Sequence, residues 1–263
     1  MKTAYEIQKN KWPSWLMDNE KEILAIWDDH DYGLNDGGKD YKLKREAQKM
    51  FLNFWNISPS DPRSIREGTY FKKTKNINGT TVEIIGLDTR YFRSKLLRKR
   101  NAYKPNMQPE ATILGQKQWK WLESSMSQTT ASIIVILSSI QILATEHPYE
   151  KWANFPLERK RLLNLISLVS NDKTIVAVSG DRHRAGIYKN NHFVEITASS
   201  LNKPGSKDSE TDKLLIDKIF PEINYGILDI EPEKNKITVS IHNRDGLVLN
   251  SQIIKLPLEK TEA

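Results

Sequence analysis

The feature of this sequence that most restricts its fold is a repeated pattern in which a short apolar run ends in a polar cluster. Four runs end in this way, at Asp-Asp-His-Asp (28–31), Asp-Thr-Arg (88–90), Ser-Ser-Ile-Gln (138–141) and Gly-Asp-Arg-His (180–183). Apolar runs that alternate with amphipathic segments predict buried strands alternating with helices. In open α/β sheets the ligand site lies beyond the carboxyl ends of the strands, so we expect the four clusters to converge.

The same pattern predicts a single α/β domain over residues 1–263, since no linker divides the chain convincingly. We predict helices in the first residues up to Pro13 and at 42–54, 115–126 and 157–169. Strands are predicted at 23–27, 68–71, 81–87, 132–137, 174–178, 186–188, 193–196, 225–230 and 236–241, with a last strand after the turn at 244–246.

The charge of the chain favours an anionic ligand. Its formal net charge is +7, which suits anionic substrates or surfaces. Much of the excess lies in residues 93–100, Arg-Ser-Lys-Leu-Leu-Arg-Lys-Arg, which we interpret as a solvated loop, because nucleic-acid-binding patches interleave aromatic residues with the charge. A nucleic-acid-binding module is an alternative whose affinity would fall steeply with salt, but no stable nucleic-acid complex is expected.

The sequence contains no segment that predicts a membrane span or a signal peptide. The first nine residues are polar and helical in character, and the longest apolar run, 133–137, is too short to cross a bilayer. The compartment is therefore unknown from the sequence. Because there is no cysteine, any metal would be held by oxygen and nitrogen ligands.

Two of the polar clusters predict metal binding. Asp28, Asp29 and Asp31 surround His30, and adjacent carboxylates repel one another unless a cation lies among them. Oxygen and imidazole ligands suit Ca²⁺, Mn²⁺, iron or Zn²⁺, although an acidic loop with an exposed histidine is the alternative. In the second cluster Asp181 and His183 lie two residues apart, and in extended backbone both would point to one side of the chain.

The other polar clusters leave alternatives open. Arg90 is either half of a structural salt bridge or a fork that binds phosphate. Arg63 and Arg66, which follow a proline loop, are candidates for the same role or ordinary surface charges. Ser199-Ser200 is interpreted as a structural hydroxyl pair, because no Gly-x-Ser-x-Gly turn surrounds it.

Eight motifs follow one another along the chain. They are Ile-Trp-Asp-Asp-His-Asp-Tyr-Gly-Leu-Asn-Asp-Gly-Gly (26–38), Arg-Glu-Gly-Thr-Tyr (66–70), Leu-Asp-Thr-Arg-Tyr-Phe-Arg (87–93), Leu-Gly-Gln-Lys-Gln-Trp-Lys-Trp-Leu (114–122), Ser-Ser-Ile-Gln (138–141), Lys-Trp-Ala-Asn-Phe-Pro-Leu-Glu-Arg (151–159), Ser-Gly-Asp-Arg-His (179–183) and Glu-Ile-Thr-Ala-Ser-Ser (195–200). Taken together, these motifs resemble the PhoD-like alkaline phosphatase and phosphodiesterase family of the calcineurin-like metallophosphatase superfamily. Any one motif is modestly specific, but their order and spacing match over almost the whole chain.

The resemblance implies a four-layer αββα sandwich with two metal ions between its sheets, and hydrolysis of phosphate mono- or diesters by in-line attack of water. It implies iron with calcium, with zinc or manganese as alternatives, and a phosphate-ester small molecule, phospholipid or nucleotide as substrate. Export is common in the family. By position the resemblance assigns metal ligation to Asp28, Asp29, Asp181 and His183, catalysis to His30 and Arg90, and substrate binding to Asn35 and Arg66.

One departure from the family pattern is large. An N-terminal strand that carries a metal ligand, and a following Gly-Asp-x-x-Tyr-type loop that supplies the carboxylate bridging the two metals, have no counterpart in this sequence. We therefore expect a domain that lacks its first strands, with weak metal binding and little activity. The alternative function is an inactive remnant that binds a phosphorylated ligand or a partner.

Overall fold

The fold is given by a computed structural model that describes residues 2–16, 22–205 and 210–256. Within these ranges the helices are α1 (Lys2–Lys11), α2 (Asp29–Tyr32), α3 (Lys44–Phe54), α4 (Pro62–Ile65), α5 (Gly115–Gln128) and α6 (Pro156–Val169). None of them combines the length and hydropathy needed to cross a bilayer. The strands are β1 (Phe71–Ile77), β2 (Thr80–Gly86), β3 (Leu97–Lys99), β4 (Ala102–Lys104), β5 (Ile133–Ser138), β6 (Thr174–Ser179), β7 (Ala185–Asn190), β8 (Phe193–Ala198), β9 (Leu215–Phe220), β10 (Asn224–Glu231), β11 (Lys236–Asn243) and β12 (Val248–Lys255).

Most of the strands form one mixed sheet of seven, in the order β1-β2-β5-β6-β8-β7-β9. Its centre, β2, β5, β6 and β8, is parallel, and the strands at both edges pair antiparallel. A second, antiparallel sheet contains β10, β11 and β12, and β3 and β4 form a separate hairpin. Because parallel strands end at the same edge, the loops after β2, β5 and β6 open toward one side.

The central strands of the large sheet, such as β5 and β6, are buried on both faces, as their apolar runs predict. In β5, Ile134 and Ile136 pack with residues of α5 and α6, whereas Ile133 and Val135 pack with residues of β11 such as Val239. The described residues thus supply three layers of the predicted four-layer arrangement: helices, the large sheet and the small sheet. The predicted α/β class with two packed sheets is confirmed.

Two predicted strands are wrong. Residues 23–27 form no strand in the described part of the chain, and their apolar character instead supplies Trp27 to a cluster with Phe51 and Tyr91. The strand predicted at 68–71 begins only at Phe71. The backbone N–H groups of residues 68 and 69 donate to side chains rather than to a neighbouring strand, to Gln48 Oε1 at 2.9 Å and Asp88 Oδ2 at 2.8 Å. Strand β9 and the β3–β4 hairpin were not predicted.

Candidate functional site

A cavity of about 820 Å³ lies where two of the four predicted polar clusters, those at 28–31 and 180–183, meet. The clusters at 88–90 and 138–141 do not line it. Smaller cavities beside α6, of about 270 and 210 Å³, lie away from the acidic residues. The large cavity receives side chains from the start of α2, the loop after β6, the β3–β4 hairpin and residues 148–150. Predicted site residues that line it are Asp28, Asp29, His30, Asn35, Asp181 and His183.

Three carboxylates form a compact acidic cluster in this cavity. One oxygen from each of Asp28, Asp29 and Asp181 lies within 4.8 Å of the other two. Asp28 caps the N-terminus of α2, and Asp29 begins that helix, which ends after one turn at Gly33 with a φ of 110°. The short helix therefore presents both carboxylates to the loop after β6.

The loop after β6 has a constrained backbone that aims Asp181 at the other two carboxylates. Asp181 and His183 have φ angles of 69° and 52°, in the left-handed region that non-glycine residues seldom adopt. Such conformations concentrate at functional sites, where the surroundings hold them in place. Burial, followed by the nearby Asp28 carboxylate, raises the pKa of Asp181 well above its usual range. The Asp181 and Asp28 carboxylates are thus held close together despite their mutual repulsion, an arrangement that a cation bound between them would stabilise.

Arg90 lies behind the cluster in a buried ion-pair network. Its Nε donates to Asp28 Oδ1 at 2.9 Å, Nη2 pairs with the same oxygen, and Nη1 donates to Glu150 Oε2 at 2.5 Å. Arg93 Nε lies 2.9 Å from Glu150 Oε1, an ion pair without hydrogen-bond alignment. Both guanidiniums and the Glu150 carboxylate are fully buried. Of the two alternatives for Arg90, the structure contains the salt bridge, and Arg90 does not line the cavity.

The two predicted histidines lie at the mouth of the cavity in different surroundings. His30 is exposed, and its Nε2 lies 4.0 Å from Asp29 Oδ1. His183 is partly buried, and burial lowers the pKa of its imidazole, so the ring is neutral at physiological pH and can offer a lone pair. The set of ligand atoms that all lie within 4.8 Å of one another contains the three carboxylates and not His183.

The two predicted substrate-binding residues are separated. Asn35 lines the cavity and donates from Nδ2 to Asp36 Oδ2 at 3.0 Å. Arg66 lies outside the cavity, where its guanidinium stacks 3.7 Å from the centre of the Tyr70 ring and donates to the Tyr70 carbonyl. The Ser199 hydroxyl donates to a backbone carbonyl at 3.0 Å, as the structural interpretation of that serine pair predicts.

Several residues of the site were not predicted from the sequence. Asp36 donates its backbone N–H to Asp29 Oδ2 at 3.0 Å and so orients that carboxylate. Tyr103 donates its hydroxyl to the Asp36 carboxylate. Glu150 directly precedes the motif at 151–159, but nothing in its neighbours in sequence marks it as the partner of two distant arginines. Arg98 belongs to the basic run that we interpreted as a solvated loop.

A known protein family matches most of the chain, including this site. The model of the PhoD-like phosphatase family matches residues 16–241, which include every residue of the acidic cluster. This chain belongs to the PhoD-like phosphatase family. The motifs at 26–38 and 179–183, which carry the three carboxylates, both lie within the match.

Individual relatives of this PhoD-like phosphatase are distant. The chain is 22% identical over 235 residues to alkaline phosphatase D of Bacillus subtilis, an alignment that covers 77% of this chain and 40% of that protein. A solved structure of PhoD has a TM-score of 0.62 at 17% identity and covers 88% of this chain and 51% of that one. A purple acid phosphatase from yellow lupin has a TM-score of 0.51 at 12% identity, covering 81% and 35%. The chain thus spans about half the length, or less, of these relatives.

The family implies metal ions, and the residues of the PhoD-like site fit them. Asp28, Asp29 and Asp181 offer hard oxygen ligands close enough to share a cation, and His183 offers a nitrogen from the same cavity. Of the three carboxylates, Arg90 pairs with Asp28 and also shares its charge with Glu150, and no described residue donates a hydrogen bond to the Asp181 carboxylate. The cluster therefore has more negative charge than its protein partners neutralise.

Asp31, beside this cluster, gives a testable pH dependence. Burial, with Asp28 as the next cause, raises the pKa of Asp31 to about 6. The folded-state pKa of Asp31 lies above the unfolded value of about 3.9, so folding is favoured when Asp31 is protonated. The stability that the protonated carboxyl contributes is fully present below about pH 4 and is lost as pH rises through about 6. In the metal-free chain, the free energy of unfolding should fall by about 1–2 kcal/mol less between about pH 4 and 7 in Asp31→Asn than in the unmodified chain. Urea unfolding followed by tryptophan fluorescence between about pH 4 and 7, with a chelator present, measures it.

The matched control for this measurement is Asp245→Asn, which changes an exposed aspartate in the turn before β12. Its stability profile is expected to follow that of the unmodified chain. If the Asp31→Asn profile also follows the unmodified chain, Asp31 is not the group that titrates.

Proposed function

We propose that this PhoD-like phosphatase hydrolyses phosphate esters in the large cavity. The observation that carries the proposal is the cluster of three carboxylates within 4.8 Å, where the start of α2 meets the loop after β6, in a cavity that arginines and histidines also line. The three carboxylates would hold cations, and the basic residues that line the cavity favour a negatively charged substrate. Membership of a phosphatase family supports the same reaction class.

In this proposal Asp28, Asp29, Asp181 and His183 hold the metal ions. The chemistry that such ions supply when bound is polarisation of the phosphoryl group and activation of a water nucleophile. The resemblance of the motifs favours iron with calcium, and the oxygen and nitrogen ligands would also accept zinc or manganese.

The other residues of the site would orient these ligands and move a proton. The backbone N–H of Asp36 holds the Asp29 carboxylate, and the buried Arg90 guanidinium holds Asp28. We assign Arg90 this positioning role in place of direct contact with substrate. His30, exposed at the mouth of the cavity, is the candidate to protonate the leaving oxygen, since its ring is free to approach a bound ester.

The test uses two reporter substrates and a metal series. The purified chain, stripped of metal and then supplied with Mn²⁺, Zn²⁺ or iron with Ca²⁺, is assayed on 4-nitrophenyl phosphate and bis(4-nitrophenyl) phosphate, with elemental analysis of bound metal. We expect hydrolysis that depends on added metal and disappears with chelator, and the ratio of the two rates distinguishes a monoesterase from a diesterase. A folded chain that is inert toward both and binds substoichiometric metal would favour the non-catalytic alternative.

A further inference from the structure

The basic run that sequence analysis assigned to a solvated loop forms one wall of the cavity. Residues 95–104 contain five lysines and arginines and no acidic residue. Strands β3 and β4 fold this segment into a hairpin that reverses at residues 100 and 101. Arg98 and Tyr103, which face each other across the hairpin, both line the cavity that holds the three carboxylates.

Two hydrogen bonds of Tyr103 anchor the hairpin to residues that line the cavity. The backbone N–H of Tyr103 donates to the Pro148 carbonyl at 2.9 Å, and its hydroxyl donates to the Asp36 carboxylate. Asp36 in turn donates its backbone N–H to Asp29. The basic residues are therefore held at a defined place relative to a candidate metal ligand, unlike the side chains of a free loop.

The basic residues of the hairpin differ in their ion pairs from the arginines on another wall of the cavity. In the ranges that the structure describes, no ion pair forms with Arg98, Lys99, Arg100 or Lys104, whereas Arg182 and Arg184 on another wall of the cavity both pair with Glu210, at 2.7 and 3.0 Å. The Arg98 guanidinium lies over the Tyr103 ring at 5.3 Å from its centre, which orients it without using its hydrogen-bond donors.

We infer that the β3–β4 hairpin binds a second phosphate group of the substrate, so that the site prefers phosphate esters that carry another phosphate near the scissile one. Arg98 supplies a fork that matches phosphate geometry, and Arg100 and Lys104 add positive charge. The ligand is recognised by its charge rather than by a nucleobase, because the aromatic ring of the hairpin is already covered by Arg98 and tied to Asp36. This inference rests on the proposed hydrolysis of phosphate esters in the same cavity.

Two substrates that differ by one phosphate test the inference. Thymidine 5′-(4-nitrophenyl phosphate), with and without a 3′-phosphate, releases the same nitrophenolate from the same bond. We expect the unmodified chain to prefer the 3′-phosphorylated substrate by about tenfold in kcat/KM, and the preference to shrink as salt rises from about 0.05 to 0.5 M. Arg98→Gln combined with Arg100→Gln should reduce the preference about tenfold, and Arg98→Lys, which keeps the charge without the fork, should reduce it less.

A binding measurement separates this inference from the proposed function. Calorimetry with thymidine 3′,5′-bisphosphate and thymidine 5′-monophosphate, on the metal-free chain, needs no catalysis, and we expect tighter binding of the bisphosphate that the double substitution removes. If neither nitrophenyl ester is hydrolysed but this difference is present, the proposed function fails for this chain and the hairpin site stands.

Two results would overturn the hairpin site. The first is hydrolysis of both esters with equal kcat/KM in the unmodified chain, which would leave the proposed function in place. The second is an equal loss of preference in Lys117→Gln combined with Lys120→Gln, a matched change on the exposed face of α5, because the effect would then come from total charge.

Discussion

Asp181→Asn is expected to lower metal-dependent hydrolysis by about a hundredfold or more, since even residues that only support metal ligands commonly cost 10–100-fold when changed. Asparagine keeps the size of the side chain and is among the residues that best tolerate the left-handed backbone found at this position, where φ is 69°. The substitution should therefore remove a ligand without disturbing the loop after β6.

The stability of the same variant gives a second and opposite readout. Burial and the Asp28 carboxylate disfavour the ionised form of Asp181 by raising its pKa, and a neutral amide meets neither the cost of burying a charge nor the repulsion. Without metal, the variant should unfold at the same temperature as the unmodified chain or a higher one. With Mn²⁺ added, the unmodified chain should gain stability and the variant should not.

Asp172→Asn, which changes an exposed aspartate after α6, is the control for both readouts and should leave them unchanged. Retention of metal-dependent hydrolysis and of metal stabilisation in Asp181→Asn would remove Asp181 from the metal site. It would also leave the strained backbone at this position without a functional explanation.

Glu150→Gln is expected to be the most destabilising of the substitutions considered. The Glu150 carboxylate is buried between the guanidiniums of Arg90 and Arg93, which lie 2.5 and 2.9 Å from its oxygens. Arg90 would keep Asp28 as an anionic partner, but Arg93 would be left with only backbone carbonyls. Removal of one partner from a buried charge network typically costs about 3–5 kcal/mol, because the remaining charge stays buried and uncompensated.

The control is the same substitution in an exposed pair. Glu123 and Arg161 lie 2.7 Å apart on the surface, with about half of each side chain exposed to solvent, so Glu123→Gln should change the free energy of unfolding by less than about 1 kcal/mol. Urea unfolding at neutral pH compares the two variants. Similar small losses in both would show that the Arg90–Glu150–Arg93 network contributes little to the stability of the native state.

The sequence alone was sufficient for the residues that carry their own local signal. Asp28, Asp29 and Asp181 follow apolar runs and were predicted to converge, but the rule that sites form beyond strand ends holds here for Asp181 alone, since Asp28 and Asp29 lie at the start of α2. The helices α3, α5 and α6 and the parallel strands were also predictable, because each has a hydrophobic period that tertiary packing then uses. The strand predicted at 23–27 failed because Trp27 is the one buried residue of this apolar run, Ile23 is exposed, and apolar composition by itself does not supply a neighbouring strand to pair with.

What the sequence determined, then, is the chemistry of the acidic cluster and the order of the elements that present it. Only the tertiary structure decided which charges are compensated: Arg90 and Arg93 share Glu150, 60 residues from Arg90 in sequence, while Arg98 of the β3–β4 hairpin lines the cavity and forms no ion pair with a residue that the structure describes. The physical reason is that pairing between side chains distant in sequence depends on where the backbone brings them, which no local pattern encodes. The basic run of residues 93–100 has the composition of a solvated loop, but the fold buries Arg93 beside Glu150 and places Arg98 against the cavity.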